Sequence, residues 1–367
     1  MKRIILVVFL LFALSVSVSA EQDIYAEQYE KSGAAELENN LPDEVRDYLI
    51  SEDISPAGSD WVNKITAGNI FTLLWDSMKS GGKTPFSTAL AAVGLSLAVS
   101  AFRLFSEKRG LSASLDFISV SAAAGLVLLP LFAIITSSAR TLKAAAQFML
   151  SFIPVYCSVL VASGRPVTGG ASGGVLLVAS ETVVWLAASV IIPLMGAYLA
   201  ITLCSSLSPA VNLSGLCDAI KKTATWGTGL IMTVYIGVLG MQTTVNTSAD
   251  NLAVKTGKFL IGSFVPVVGS AVGEALTAVR SSVSLLRSSV GIYGALAVAL
   301  IVLPAIAGLI VWRVCLMLSA AAATVLDCPK IAALLRGCDS AVAFTLAMTV
   351  ICSVALIISL AVLAAGG

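Results

Sequence analysis

The sequence contains no histidine. That absence removes Ser-His-Asp and Cys-His nucleophile pairs, His-ligated zinc or haem, and imidazole proton relays. Charge is scarce as well: charged residues make up 12% of the chain, against roughly 25% in an average soluble domain. A complete phosphate-binding loop is missing. Gly81-Gly82-Lys83-Thr84 resembles the end of one, but the motif needs a glycine where Ser77 stands. No cysteine precedes Cys157, so the N-terminal part holds no disulfide framework. The seven cysteines (157, 204, 217, 315, 328, 338 and 352) fall within or beside apolar runs and read as small core residues. Cys328 and Cys338 are the one pair placed to meet across a loop.

What the chain has in excess is apolar surface. Hydrophobic residues make up 57% of 367 residues. A soluble chain of this length could not cover so much apolar area with polar groups. The composition therefore excludes a soluble enzyme and a nucleic-acid binder and implies insertion in a lipid bilayer. No residue set points to a catalytic centre, a cofactor or a metal.

The chain divides by charge. Residues 21–85 carry 13 acidic and 5 basic residues, whereas 86–367 carry 8 acidic and 15 basic. Residues 1–20 read as a signal peptide. Lys2 and Arg3 form its charged start, Ile4 to Leu14 its apolar run, and Ser15 to Ala20 its small-residue end. The acidic region 21–85 is then extracytoplasmic. Within it, Ala26 to Leu37 and Pro42 to Ile50 read as short helices, the second with Leu41, Val45, Leu49 and Ile50 at helical spacing. Such a segment is too small to fold alone and is expected to rest on the membrane body or on a partner.

Residues 86–367 are a polytopic membrane domain. At about 20 apolar residues per crossing, the expected spans are 86–105, 115–137, 146–163, 175–203, 223–242, 291–312 and 340–364. The stretch 259–276, with Pro266, Gly269 and Gly273, reads as a broken or re-entrant eighth. The fold class is all-α, a polytopic helical membrane protein with about seven transmembrane helices, six to eight, and a short exported helical region. Arg103, Lys108 and Arg109 in the first short loop agree with a cytoplasmic placement of that loop.

Glu181 lies inside an apolar run, where an ionisable group marks either a coupling carboxylate of a transporter or a side chain facing a neighbouring helix. Gly269-x-x-x-Gly273 and the region of Gly291 and Gly294 supply small faces for helix packing, within the chain or between subunits. From Thr277 to Val290, Arg280 and Arg287 share one helical face opposite Val279, Val283, Leu286 and Val290. That is an amphipathic helix suited to the membrane surface or to a partner.

Phe264-Val265-Pro266-Val267-Val268-Gly269, followed by Leu285-Leu286-Arg287 and Val290-Gly291, closely resembles the stage III sporulation protein AE family. Gln28 to Leu37, Leu41 to Arg46 and Tyr235 to Gly240 fit as well, as does the order of signal peptide, short exported segment and membrane body. The resemblance implies a membrane subunit of the sporulation stage III A complex, a channel-like apparatus in the mother-cell membrane around the forespore. Its implied partners are the other subunits of that complex, a forespore membrane protein reached through them, and the bilayer, with no nucleic acid. The family supplies no catalytic residue, so Pro266, Gly269, Gly273, Arg280, Arg287 and Gly291 are read as assembly or packing positions. The exported acidic segment would lie in the intermembrane space. The alternative is a stand-alone solute permease that uses Glu181.

Overall fold

The computed structural model describes residues 33–52, 54–55, 72, 75, 78–79, 82–106, 112–162, 169–170, 173–207, 213–264 and 269–365, with side chains described outside 34–36, 104–106, 112–113, 214, 243–264, 269–286 and 365. The described residues are almost wholly helical, with no strand among them. A 3-10 helix, Ala34–Asn40, leads to α1, Asp43–Ser51. Then follow α2 (Lys83–Ser106), α3 (Ser112–Ala162), α4 (Gly173–Leu186), a π-helical segment (Ala187–Ile191) and α5 (Ile192–Leu207). The chain ends with α6 (Ser214–Phe264), α7 (Gly269–Val325) and α8 (Pro329–Ala365).

Among the described residues, six stretches are long and apolar enough to cross a membrane: Lys83–Arg103, Ser114–Ala162, Gly173–Leu207, Gly215–Gln242, Arg287–Val325 and Pro329–Ala364. The expected spans 115–137 and 146–163 are joined in α3, a single helix of 51 residues. The segment between them, Ser138 to Ala145, contains neither glycine nor proline and is rich in alanine, so nothing in it ends a helix. Pro130 and Pro154 stand inside α3 without breaking it. The run 175–203 appears as expected, extended to Gly173–Leu207. Its π segment lies directly before Pro193. A proline lacks the N–H for the ladder and its ring crowds the preceding turn, and local widening relieves both. Of the stretch expected to be re-entrant, 259–264 and 269–276 are helical and 265–268, with Pro266, lies outside the described residues.

The helices α3, α7 and α8 form the centre, with α7 and α8 the most extensive pair. Contacts fix their register. Ideal β-carbons on Gly308, Gly294 and Gly291 of α7 would meet Ile134, Phe152 and Tyr156 of α3 in turn, so the two helices run antiparallel side by side. At about 1.5 Å per residue, Asp116 and Tyr156 are separated by about 60 Å along α3. On α8, Thr228 Oγ1 of α6 reaches Met348 Sδ at 3.6 Å, and Tyr235 Oη donates to the Ala355 carbonyl at 2.7 Å. The α6 and α8 helices therefore run parallel.

Hydroxyl groups within the helices bond back to the preceding turn. On α8, Thr345 donates to the Ala341 carbonyl, Thr349 to Thr345 and Ser353 to Thr349, all at 2.7–2.9 Å. This satisfies buried hydroxyls where water is absent. The N-terminal helices rest on this body as expected. Leu37, Leu41, Val45 and Leu49 are buried in the common core, and Gly33 lies beside Val155 of α3. All seven cysteines are free, so Cys328 and Cys338 are not joined.

Candidate functional site

Ionisable side chains in this chain gather at a few levels along the bundle. The first level is the end where α2 meets α3 and α7 meets α8. Asp116 of α3 accepts from Arg103 of α2 and pairs with Lys330 of α8, whose Nζ lies 3.1 Å from Oδ2. Arg103 also donates to the carbonyl of Asp327, in the turn between α7 and α8. Arg336 donates to Thr324 Oγ1 at 2.8 Å across the same turn. One carboxylate thus joins three helices, and each cation reaches it from a different element. Asp116 stands at the start of the expected span 115–137 and has two specific partners.

The second level lies some turns further in. Arg313 Nε of α7 stands 3.6 Å from Asp339 Oδ1 of α8. Lys221 Nζ of α6 lies 5.3 Å from the centroid of the Tyr198 ring on α5, a cation–π placement. The close approach of α5 and α8 here depends on Gly337, whose added β-carbon would run into Thr202.

The third level is the outer face of α3. Thr136, Ser137, Arg140, Lys143 and Gln147 are all exposed there. Neither Arg140 nor Lys143 has an ion-pair partner among the described residues. Exposed apolar side chains flank them on the same helix, Leu129 and Phe132 before and Leu150 and Val161 after. These two cations, expected in a loop between spans, instead sit in the middle of a continuous helix.

Glu181 of α4 keeps its Oε1 buried, with no hydrogen-bond partner among the described residues. The fourth level is the far end of the bundle. Arg287 Nη2 donates to the Ala364 carbonyl of α8 at 2.6 Å, closing the last turn of that helix. Gly291 sits against Tyr156, and a β-carbon there would lie 2.9 Å from its hydroxyl. Tyr156, Arg287, Gly291, Ile357, Leu360 and Ala361 border an open cavity of about 410 Å³. Of the sequence-expected positions, Arg287 and Gly291 therefore come together, and Glu181 stands apart on α4. Gly269, Gly273 and Arg280 lie on the helical backbone of α7, with side chains outside the described residues, and Pro266 lies outside them altogether.

The sequence reading missed the Arg103–Asp116–Lys330 set and the isolation of Arg140 and Lys143. The available signal was the same in both cases: an ionisable residue next to or inside an apolar run. Among the described residues no group of histidine, cysteine, aspartate or glutamate could hold a metal ion.

The family model for stage III sporulation protein AE matches residues 50–367. A curated relative of that name from Bacillus subtilis (strain 168) is 25% identical over 173 residues, which is 47% of this chain and 43% of the relative. The matched part thus spans less than half the length of that relative. No solved structure matches.

Proposed function

Since this chain belongs to the stage III sporulation protein AE family and is a multi-pass membrane protein of sporulation, we propose that it is a structural, pore-contributing subunit of a channel complex between mother cell and forespore. In this reading it sits in the mother-cell membrane around the forespore. Residues 1–20 direct export, and the acidic region 21–85 faces the intermembrane space. Its partners are the other subunits of the stage III A complex and, through them, a forespore membrane protein. It carries no reactive centre and binds no cofactor or nucleic acid; its work is contact between helices.

One observation supports a subunit over a self-sufficient membrane protein. The core helix α3 extends about 60 Å from Asp116 to Tyr156, twice the hydrocarbon thickness of about 30 Å. Large apolar side chains are exposed on both sides of its polar middle, Phe117, Ile118, Leu129 and Phe132 before it and Leu150 and Val161 after it. Lipid can cover only part of such a surface. The remainder calls for protein cover.

The test is co-purification from sporulating cells with an affinity tag on this chain. Recovery in a stable membrane complex with other sporulation proteins is the expected result. Recovery as a lone protein, with sporulation unaffected by its deletion, would overturn the reading. Glu181 favours the second reading, a stand-alone permease, because its Oε1 is buried without a partner. Solute uptake by the purified chain alone, abolished by Glu181→Gln, would establish that alternative.

A further inference from the structure

We propose that Arg140 and Lys143 of α3 line a water-filled passage through the assembly and make it selective for anionic solutes. The inference rests on the reading of this chain as a pore-contributing subunit and names the class of solute that such a pore would favour.

The placement of these cations carries it. Contacts between α3 and α7 bracket them on both sides: Ile134 with Gly308 before, Phe152 with Gly294 after. They therefore lie well inside the bundle's length and not beyond its end. The facing stretches of α6, α7 and α8 carry no charge at that level, and Glu181 of α4, near the level of Gln147, makes no ion pair with either cation. No acidic or basic residue occurs on α7 between Arg287 and Arg313, on α8 after Asp339, or on α6 between Lys222 and Asp250. Each of those stretches is about 40 Å of helix, enough for one hydrocarbon core with its flanks. These three hydrocarbon-length stretches lie at the level of Arg140 and Lys143, whereas the apolar α2 lies beside residues 312–327, toward one end of α7.

Lipid does not tolerate two exposed, unpaired cations at that depth. Such groups face a bundle interior, a partner charge or water. Here they point away from their own bundle, and no carboxylate pairs with them among the described residues. The surrounding side chains on the face are those of a wet surface: Thr136, Ser137 and Gln147. Thr136 already donates to the Phe132 carbonyl at 2.7 Å, as a hydroxyl does on any helix. The polar stretch covers about 16 Å of helix, from Thr136 to Gln147. It ends at Phe132 on one side and Leu150 on the other, both exposed. A cationic stretch between two apolar collars has the form of a selectivity region: Arg and Lys rings favour anions, and low-dielectric walls strengthen the field.

The experiment uses the complex in membrane vesicles of both orientations. Lys143→Cys is labelled with membrane-impermeant methanethiosulfonates bearing either a sulfonate or a trimethylammonium group. Modification is read at this site by peptide mass, so the native thiols do not interfere. The expected result is labelling from both faces, with the sulfonate reagent faster by about tenfold because Arg140 remains beside the thiol. Adding Arg140→Gln should remove that preference. Labelling from one face only, no labelling, or equal rates for the two reagents would overturn the inference. Recovery of the complex is measured on the same sample, so failure of assembly, which counts against the functional reading, is seen separately. If Lys143→Cys itself impairs assembly, Gln147→Cys on the same face gives the same readout.

Discussion

Gly294 of α7 lies so close to the ring of Phe152 on α3 that a β-carbon at residue 294 would fall inside the ring's van der Waals envelope. Phe152 is fully buried between Phe148, tilted against it, and Tyr156, stacked on it, each with ring centroids 5.5 Å away. It has no space into which to retreat. In lipid, helices associate through close packing of this kind, because no hydrophobic drive separates helix from solvent. Gly294→Leu is therefore expected to destabilise the bundle by about 1–3 kcal/mol. Gly229→Leu, at a position where an added β-carbon meets nothing within 4 Å, should be nearly neutral. Thermal unfolding of the two variants in the same detergent checks this; equal midpoints would show that the α3–α7 contact does not limit stability.

Asp116 is the only carboxylate facing both Arg103 and Lys330 among the described residues. Asp116→Asn keeps the shape and removes the charge, leaving two cations together at the end of the bundle. The expected cost is about 1.5–3 kcal/mol, the range for a hydrogen bond to a charged group. Arg103→Gln should cost less in the Asp116→Asn background than alone, because the two residues share one interaction. Additive losses in this cycle would mean that the pair contributes no coupling.

Most of the architecture was legible because apolar run length and membrane thickness constrain each other. The expected runs 86–105 and 340–364 fall within α2 and α8. What could not be read was the fusion of 115–137 with 146–163 into α3. Arg140 and Lys143 look like loop residues by charge, yet the alanines and the absence of glycine or proline around them favour continued helix. Charge and propensity disagree there, and tertiary contact with α7 decides the outcome. Arg287 and Gly291 were visible as motif positions. Their partners, Ala364 and Tyr156, come from distant parts of the chain and leave no local trace. The hydrogen bond from Tyr235 to Ala355 is hidden for the same reason.

Two cysteines should differ sharply in reactivity. Cys204 is exposed, whereas Cys328, in the turn before α8, is 1% exposed. Burial pushes the Cys328 thiol up from its ordinary value; the Arg103 guanidinium opposes this, and Asp327 and Asp116 add to it. A raised value keeps the neutral thiol dominant at a pH where a free thiol ionises, near about 8.5. Because the thiolate is the nucleophile, maleimide at that pH should modify Cys204 in the folded protein and spare Cys328 until it is unfolded. Equal modification of both, read by peptide mass, would show that the α7–α8 turn opens in solution.

The proposed export of the N-terminal helices has a direct consequence for Asp47. This residue is exposed on α1, on the side opposite Val45 and Leu49, which hold the helix to the bundle. Asp47→Cys should react with a membrane-impermeant maleimide added to intact protoplasts. Reaction only after lysis would put α1 in the cytoplasm and reverse the orientation of every helix that follows.

Continuity of α3 can be tested at Thr141, which lies between the two cations. In a loop, proline at this position would be tolerated. In a helix interior it removes the bond to the residue 137 carbonyl and crowds the preceding turn, costing about 3 kcal/mol or more. Thr141→Ala serves as the control, since alanine favours helix and removes only the side chain. Thr141→Pro is therefore expected to lower the unfolding midpoint sharply relative to Thr141→Ala. Matching midpoints would return 138–145 to a loop and place Arg140 and Lys143 at a membrane surface. The two cations would then need no passage to keep them wet.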